Sequence, residues 1–386
     1  MLGLLLLTGS LALGSATERS LVVDQPALKY VFRGEPWQGD TPGYYFNGTD
    51  YVPLGFIFKG TTYVPLRFLA EALDELVFWD GQTKTITVGR GTAATSAEQL
   101  VPGQKEADLW RLLGAPNRLD AGEYGQSWWI YNADLKRYTQ VGVKAGRVVE
   151  IFTMDPGYKF NNVGPGSSVA QLAQAFPFES QVKFNLDRVE VSVKNDSQRQ
   201  LVLRDGLAYI FYIDQIDQVV SGLRVIYPEQ LLNMTLYSAQ WNYYGEGPDF
   251  SPPQLAPEYQ KQVENGYQRQ IFDLANAARQ KKGLAPLKWH PQAAQAAQGH
   301  SRDMLENDFF DHYSATTGGP ADRFRALDIN YQMMAENIAM GQADAVEAHQ
   351  AWMNSPGHRT NLLNAEFTYL GTGVAEHYYS QEFLKP

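Results

Sequence analysis

The chain has six histidines, at positions 290, 300, 312, 349, 358 and 377, and none precedes His290. Imidazole is the side chain that most readily exchanges a proton or binds metal near neutral pH. Any site chemistry therefore belongs to the C-terminal third. Two histidines stand in dense polar runs: His312 ends Phe309-Phe310-Asp311-His312, soon after His300-Ser301-Arg302-Asp303-Met304, and His358 lies in Trp352-Met-Asn-Ser-Pro-Gly-His-Arg-Thr-Asn361. Between them comes Ala335-Glu336-Asn337-Ile338-Ala339. Two histidines with one carboxylate suit zinc with an open position, as in hydrolytic sites. There is no HExxH helix, however, and separations of 24 residues (312 to 336) and 22 residues (336 to 358) are not diagnostic. The same three side chains would equally form a buried polar network that ties loops to a sheet.

The elements that must hold these residues are legible from periodicity. Val263, Tyr267, Ile271, Leu274 and Ala278 form one apolar helical stripe, closed by Lys281-Lys282-Gly283. His290 precedes Pro291 and caps a second helix that runs through an alanine stripe to His300, Met304 and Leu305. A third helix is expected at 344–353. Ser355 is a good N-cap and Pro356 a good first-turn residue for a fourth, which puts His358 in its first turn. The positive end of that helix disfavours imidazolium, so His358 is expected to be neutral. Strands are expected at 336–340, 369–375 and 378–384. His300 reads as a core residue edging the site, and His349 and His377 as surface or packing residues. Asp303, Asn337, Arg359 and Asn361 are expected mainly to bond loop backbone.

With 386 residues, 44% of them apolar, the chain has material for two to four domains. A formal charge of −10 without any basic run argues against nucleic acid or an anionic membrane surface as partner. Residues 1–16 are uncharged and leucine-rich, end in small residues and give way to Thr17-Glu18-Arg19-Ser20, the pattern of a secretory signal peptide. No later segment approaches a transmembrane span. The chain has no cysteine, which excludes disulfides, thiolate metal sites and a cysteine nucleophile. An exported chain of this size without disulfides fits a bacterium lacking an oxidising periplasm. The expectation is a secreted protein associated with the cell wall of a Gram-positive bacterium.

The first segment, 28–90, repeats a short motif, Tyr51-Val-Pro-Leu and Tyr63-Val-Pro-Leu, and predicts a strand at 56–58, a helix at 66–73 and a hairpin at 77–88. Tyr63-Val-Pro-Leu-Arg-Phe-Leu-Ala-Glu-Ala-Leu73, Trp79-Asp80 and Lys84-Thr-Ile86 resemble the N-terminal domain of copper amine oxidases, a stalk module. With no His, Cys or Met between Leu28 and Arg90, the segment has no ligands suited to copper. After a Thr/Ala-rich joint, residues 97–240 read as two related α+β units with antiparallel sheets. Helices are expected at 106–113 and 167–176, each followed by strands. Leu112-Leu-Gly-Ala-Pro116, Trp129-Ile-Tyr-Asn132 and Gln140-Val-Gly-Val143 resemble the domain that precedes CAP domains in some bacterial proteins. Residues 241–257, rich in Pro and Gly, read as a linker.

Residues 258–386 carry the most specific resemblance. Leu274-Ala-Asn-Ala-Ala-Arg279, His300-Ser-Arg-Asp-Met304, Phe310-Asp-His312, Ala335-Glu-Asn-Ile-Ala339, Trp352-Met-Asn-Ser-Pro-Gly-His-Arg359, Gly371-Thr-Gly-Val374 and Tyr379-Ser-Gln381 occur in order. Together they resemble the CAP superfamily of cysteine-rich secretory, antigen 5 and pathogenesis-related (SCP-like) proteins. The resemblance implies an α+β multidomain chain ending in an α/β/α sandwich. It also implies a surface cavity lined by two histidines and two glutamates that in some members holds a divalent metal. His312, Glu336 and His358 match three of those positions, and the second glutamate falls on Ser355. The expected cavity set is thus His312, Glu336, Asn337, Ser355 and His358, with His312, Glu336 and His358 as candidate ligands for zinc or another divalent cation. The ligand expected is a cell-envelope component, a small apolar molecule or a protein partner. A metal-assisted hydrolase using the same cavity and a structural, adhesive role with a vestigial cavity are the alternatives. Enzyme activity is not the favoured reading.

Overall fold

The computed structural model describes residues 31–32, 35–36, 44–46, 51–66, 68–69, 77–80, 85–88, 99–243, 245 and 247–386. The signal-like segment 1–16, the joint at 91–96 and most of the helix expected at 66–73 lie outside them. Within the N-terminal segment Phe56–Phe58 pairs antiparallel with Thr61–Tyr63. Lys59 and Gly60 both take positive φ, 49° and 75°, as a two-residue type I′ hairpin turn requires. Val77–Asp80 pairs with Thr85–Val88.

The middle of the chain opens with α1 (Glu106–Leu113) and continues through β1 (Arg118–Ala121), β2 (Ser127–Tyr131), β3 (Thr139–Lys144) and β4 (Arg147–Thr153). Then come α2 (Val169–Ala175), β5 (Gln181–Leu186), β6 (Val189–Lys194), β7 (Arg199–Arg204), β8 (Leu207–Asp214), β9 (Val219–Ile226), α3 (Gln230–Asn233) and β10 (Ala239–Tyr243). The two units expected from the sequence do not keep separate sheets. β4 pairs with β9, giving one antiparallel seven-stranded sheet ordered β7-β8-β9-β4-β3-β2-β1. A second sheet is ordered β5-β6-β10, so the first residues of the expected linker, Trp241 to Tyr243, are strand.

Alternation along β8 shows why the large sheet is buried on both sides. Tyr209, Phe211 and Ile213 pack with Leu172 and Phe176 at α2. Ile210 and Tyr212 belong to the cluster that includes Ile271, Leu274 and Tyr379 of the C-terminal segment. Covered on both faces, the strand reads as a continuous apolar run.

The C-terminal segment comprises α4 (Pro257–Lys281), β11 (Lys288–Trp289), α5 (Pro291–Glu306), α6 (Pro320–Ala326), β12 (Met333–Met340), α7 (Ala345–Asn354), α8 (Pro356–Leu362), β13 (Tyr369–Ala375) and β14 (Tyr378–Lys385). Its sheet is ordered β11-β13-β14-β12. β13 shows how the layers form. Thr372 Oγ1 donates to Gln268 O of α4 at 2.9 Å, on one face. On the other, a Cβ at Gly371 or Gly373 would stand only 2.1 Å from Ala294 N or from Ala297 C in α5. Helix, sheet and helix thus make the α/β/α sandwich, and the two glycines let α5 lie against the strand. α6, β1, β10 and β11 are elements that the sequence pattern did not single out.

The middle and C-terminal segments share one core, in which Trp128, Ile130 and Tyr138 pack with Tyr267, Ile271 and Leu274. Arg118 bridges to Asp273 at 2.8 Å, and Arg224, wholly buried, meets Glu150 of the middle sheet and Asp344 beside α7. Arg359 was expected to bond loop backbone. It does donate to Met353 O at 3.0 Å, but it also bridges to Asp214 at 2.8 Å and to Asp217. His349, expected as a surface or packing residue, is buried on α7, where desolvation lowers its pKa to about 3.

Candidate functional site

His312, Glu336 and His358 come from a loop, a strand and a helix, and local bonds fix each one. The loop after α5 is held by Asp303, whose carboxylate accepts from Ser314 Oγ and at 2.9 Å from Thr316 Oγ1. His300, fully buried on α5, contacts the loop at Asp311 O, 3.0 Å from its Nε2. Asp303 therefore bonds side chains as well as shaping the turn. Beyond the sheet, Asn337 Nδ2 donates to His358 O at 3.1 Å, and Asn361 Nδ2 donates to Asn337 Oδ1 at 2.9 Å. Asn337, expected in the cavity, thus anchors the helix that bears His358. Ser355 is the N-cap of α8 and Pro356 its first residue, although the Ser355 hydroxyl makes no capping bond.

Glu336 is the hub. Its Oε1 lies 2.7 Å from His312 Nδ1, and its Oε2 pairs with Arg323 Nη2. Arg323 Nη1 also donates to His312 O at 3.1 Å and to Gly318 O at 2.9 Å, so one guanidinium clamps both loop and carboxylate. Directly across the sheet stands Glu382 of β14, fully buried and 3.7 Å from Arg323. Burial and the neighbouring Glu336 push the Glu382 pKa well above its ordinary value. Burial would also raise Glu336, but its bond to His312 and the charge of Arg323 hold it below its ordinary value. Neither Arg323 nor Glu382 was singled out in the sequence. The signal for Glu382 was an acid alternating with Ser380 and Leu384 on the inner face of a strand. Arg323 sits in a helix whose pattern is too short to read.

The two imidazoles are driven apart. The hydrogen bond to Glu336 raises the His312 pKa above 6.5, whereas burial, with the charge of His312 second, lowers that of His358. His358, expected to be neutral at the start of its helix, is pushed in that direction by desolvation and by its neighbour His312. With Nδ1 turned to Glu336, His312 presents Nε2, and its side chain is 51% exposed. Phe310 and Tyr313 flank it, also exposed.

As a metal site the set fits poorly. Among the described residues no group of three or more His, Cys, Asp or Glu side chains is arranged to hold an ion. The reason is local: His312 and Arg323 take the Glu336 oxygens, and the guanidinium would repel a second cation beside it. The carboxylate that a cation would need is already committed inside the protein.

Residues 272–384 match the model of the cysteine-rich secretory protein family (CAP), 103–237 that of the CAP-associated N-terminal domain, and 45–107 that of the copper amine oxidase N-terminal domain. A Bacillus subtilis protein named uncharacterized membrane protein YlbC is 33% identical over 288 residues, covering 73% of this chain and 82% of that one. Another, uncharacterized protein YkwD, is 41% identical over 122 residues, 31% of this chain and 48% of that protein. A crystal structure of an extracellular protein containing an SCP domain from Bacillus anthracis is 31% identical with a TM-score of 0.68, covering 76% of this chain and all of that one. A cysteine-rich secretory protein from Staphylococcus aureus shares the fold, with a TM-score of 0.63 at 19% identity over 77% of this chain and 98% of that one.

Proposed function

Because the chain belongs to the cysteine-rich secretory protein (CAP) family, in a bacterial form that carries a CAP-associated N-terminal domain, we propose that it is an exported cell-envelope protein whose CAP domain binds a wall component through the face around His312 and His358. The observation that carries this reading is the internal use of Glu336. Its carboxylate is engaged by His312 and Arg323, which leaves an outward imidazole, a neutral second imidazole and two exposed aromatic rings, but no assembled hydrolytic metal centre. Such a face recognises. The outward imidazole offers Nε2 to a polar group on the ligand, and aromatic rings cover the ligand's apolar side.

Export is supported by the composition of residues 1–16 and by likeness to the extracellular Bacillus anthracis protein. No helix among the described residues is long and apolar enough to cross a membrane. Since a relative is named a membrane protein, fractionation has two informative outcomes. Release into the medium or wall fraction supports a cleaved signal, and retention with membranes means that the apolar segment stays as an anchor.

The binding itself is tested by cosedimentation of the full chain with isolated Gram-positive cell walls. Phe310→Ala and Tyr313→Ala are each expected to weaken binding about tenfold, roughly 1.4 kcal/mol, without lowering the thermal midpoint. Undiminished binding by both variants would show that wall recognition does not use this face.

A further inference from the structure

The outer strands of the sheets are closed off in different ways. On β7, Leu201 N donates to Asn195 Oδ1 at 2.8 Å and Leu201 O accepts from Asn195 Nδ2 at 3.1 Å, so one side chain stands where a further strand would pair. On β12, Ile338 O accepts from Trp352 Nε1 at 2.9 Å and Glu336 O from Asn361 Nδ2 at 3.3 Å. α4 lies against β1, where a Cβ at Gly266 would stand 3.2 Å from Ala121 O. β5 carries a charge, Lys183, within the strand. A charge or a covering element keeps an edge from pairing with another chain.

β10 is different. It is the outer strand of the sheet β5-β6-β10, and its sequence, Ala-Gln-Trp-Asn-Tyr, contains no charge, proline or glycine. Lys194 N donates to Ser238 O at 2.9 Å, and the alternation of an antiparallel ladder then turns the backbone groups of Gln240 and Asn242 toward β6 as well. The N–H and C=O of Ala239, Trp241 and Tyr243 are left on the open side. Water can satisfy them; the aromatic rings are what mark this edge. The side chains of the same three residues share one face of the sheet, and Trp241 is 41% and Tyr243 49% exposed. Phe250 meets the Trp241 ring edge-on, 5.4 Å away at 86°. Gly247 lies on the Tyr243 ring, where a Cβ would stand 3.1 Å from Cζ. Both rings are thus braced by the chain that follows the strand, yet nearly half uncovered.

We propose that β10 is a self-association edge, to which a second copy of this chain adds its own β10, antiparallel, about a two-fold axis at Trp241. The strand is complementary to itself, as a two-fold interface requires. Centring the pair on Trp241 sets tryptophan against tryptophan and Ala239 against Tyr243, so all three open-side residues exchange N–H···O bonds with the second copy. On the face of the rings the two tryptophans become cross-strand neighbours, and each tyrosine stands beside an alanine, large against small. On the other face Gln240 meets Asn242. No like charges are opposed, so a chain of formal charge −10 meets its copy along an uncharged strip. The contact is one strand and two rings from each copy, below the ~1,200 Å² of stable complexes, so the dimer is reversible.

The test is sedimentation velocity of the full chain over a concentration series. A reversible monomer–dimer equilibrium is expected in the wild type. Trp241→Lys sets two like charges directly opposite and should raise the dissociation constant about tenfold or more, with an unchanged thermal midpoint. Cross-linking checks the register and serves if Trp241→Lys does not fold. The chain has no cysteine, and residues paired in this way lie about 5.5 Å apart at Cα, within the span of a disulfide. Oxidation of a mixture of Ala239→Cys and Tyr243→Cys chains should therefore give a covalent dimer, and oxidation of either alone should not. A wild-type chain that stays monomeric throughout the series would overturn the proposal and leave the edge to a strand of another protein. Dimerisation unchanged in Trp241→Lys, or cross-linking of Tyr243→Cys alone as readily as of the mixture, would overturn it too.

Discussion

At the scale of single residues, His312 and Glu336 stabilise one another within a limited pH window. His312 has its pKa raised in the folded chain, so its contribution is complete below the unfolded value of about 6.5 and fades as pH rises through the folded value. Glu336 has its pKa lowered, so its contribution is complete above about 4.5 and fades as pH falls through the folded value. Denaturant unfolding of wild type against His312→Gln should therefore differ most between those limits. The difference should shrink on the alkaline side, and with His312 half-exposed it should stay within about 1 kcal/mol. A difference that grows toward alkaline pH would contradict the pairing. The residues that do chemistry were readable because His312, Glu336 and His358 sit in dense, ordered motifs. Their restraints were not: Arg323 and Glu382 act through burial and cross-strand register, and neither leaves a local pattern.

At the scale of elements, strong periodicity predicted well and short elements escaped. β13 was expected at 369–375, the span it occupies, because its flanks and alternation are clear. α1 likewise occupies the expected 106–113. β11 has two residues, and β1 and α6 only four and seven, so propensity had too little length to register. The Gly371-Thr-Gly373 motif was visible, but its purpose emerges only in the packing. Gly373→Ala would drive a methyl into the α5 backbone. It should destabilise the chain by about 3 kcal/mol or more, measured as a fall in the denaturation midpoint without a change in slope. A near-neutral effect would mean that α5 does not pack this closely on β13.

At the scale of the whole molecule, the proline-rich joint suggested an independent C-terminal domain, yet the middle and C-terminal segments share a core and buried charges. Arg224 and Glu347 carry no local sequence pattern that marks them, and only the fold shows that they, with Arg359, join the two segments. Arg224 is central, with Glu150, Asp344 and Glu347 around it. Arg224→Met leaves those carboxylates buried without their cation and should cost about 3–5 kcal/mol. Calorimetry should then show the single transition of segments 99–386 broadening or splitting in two. One sharp transition at the wild-type temperature would mean that the cluster does not join them.

Whether the His312 face recognises the wall without metal is decided most directly by cosedimentation with isolated cell walls, for wild type and His312→Ala, with and without a chelator. Recognition of this kind predicts saturable wild-type binding that the chelator leaves unchanged and that falls about tenfold in His312→Ala. Binding abolished by the chelator and restored by zinc would contradict it and return the site to a metal-dependent reading.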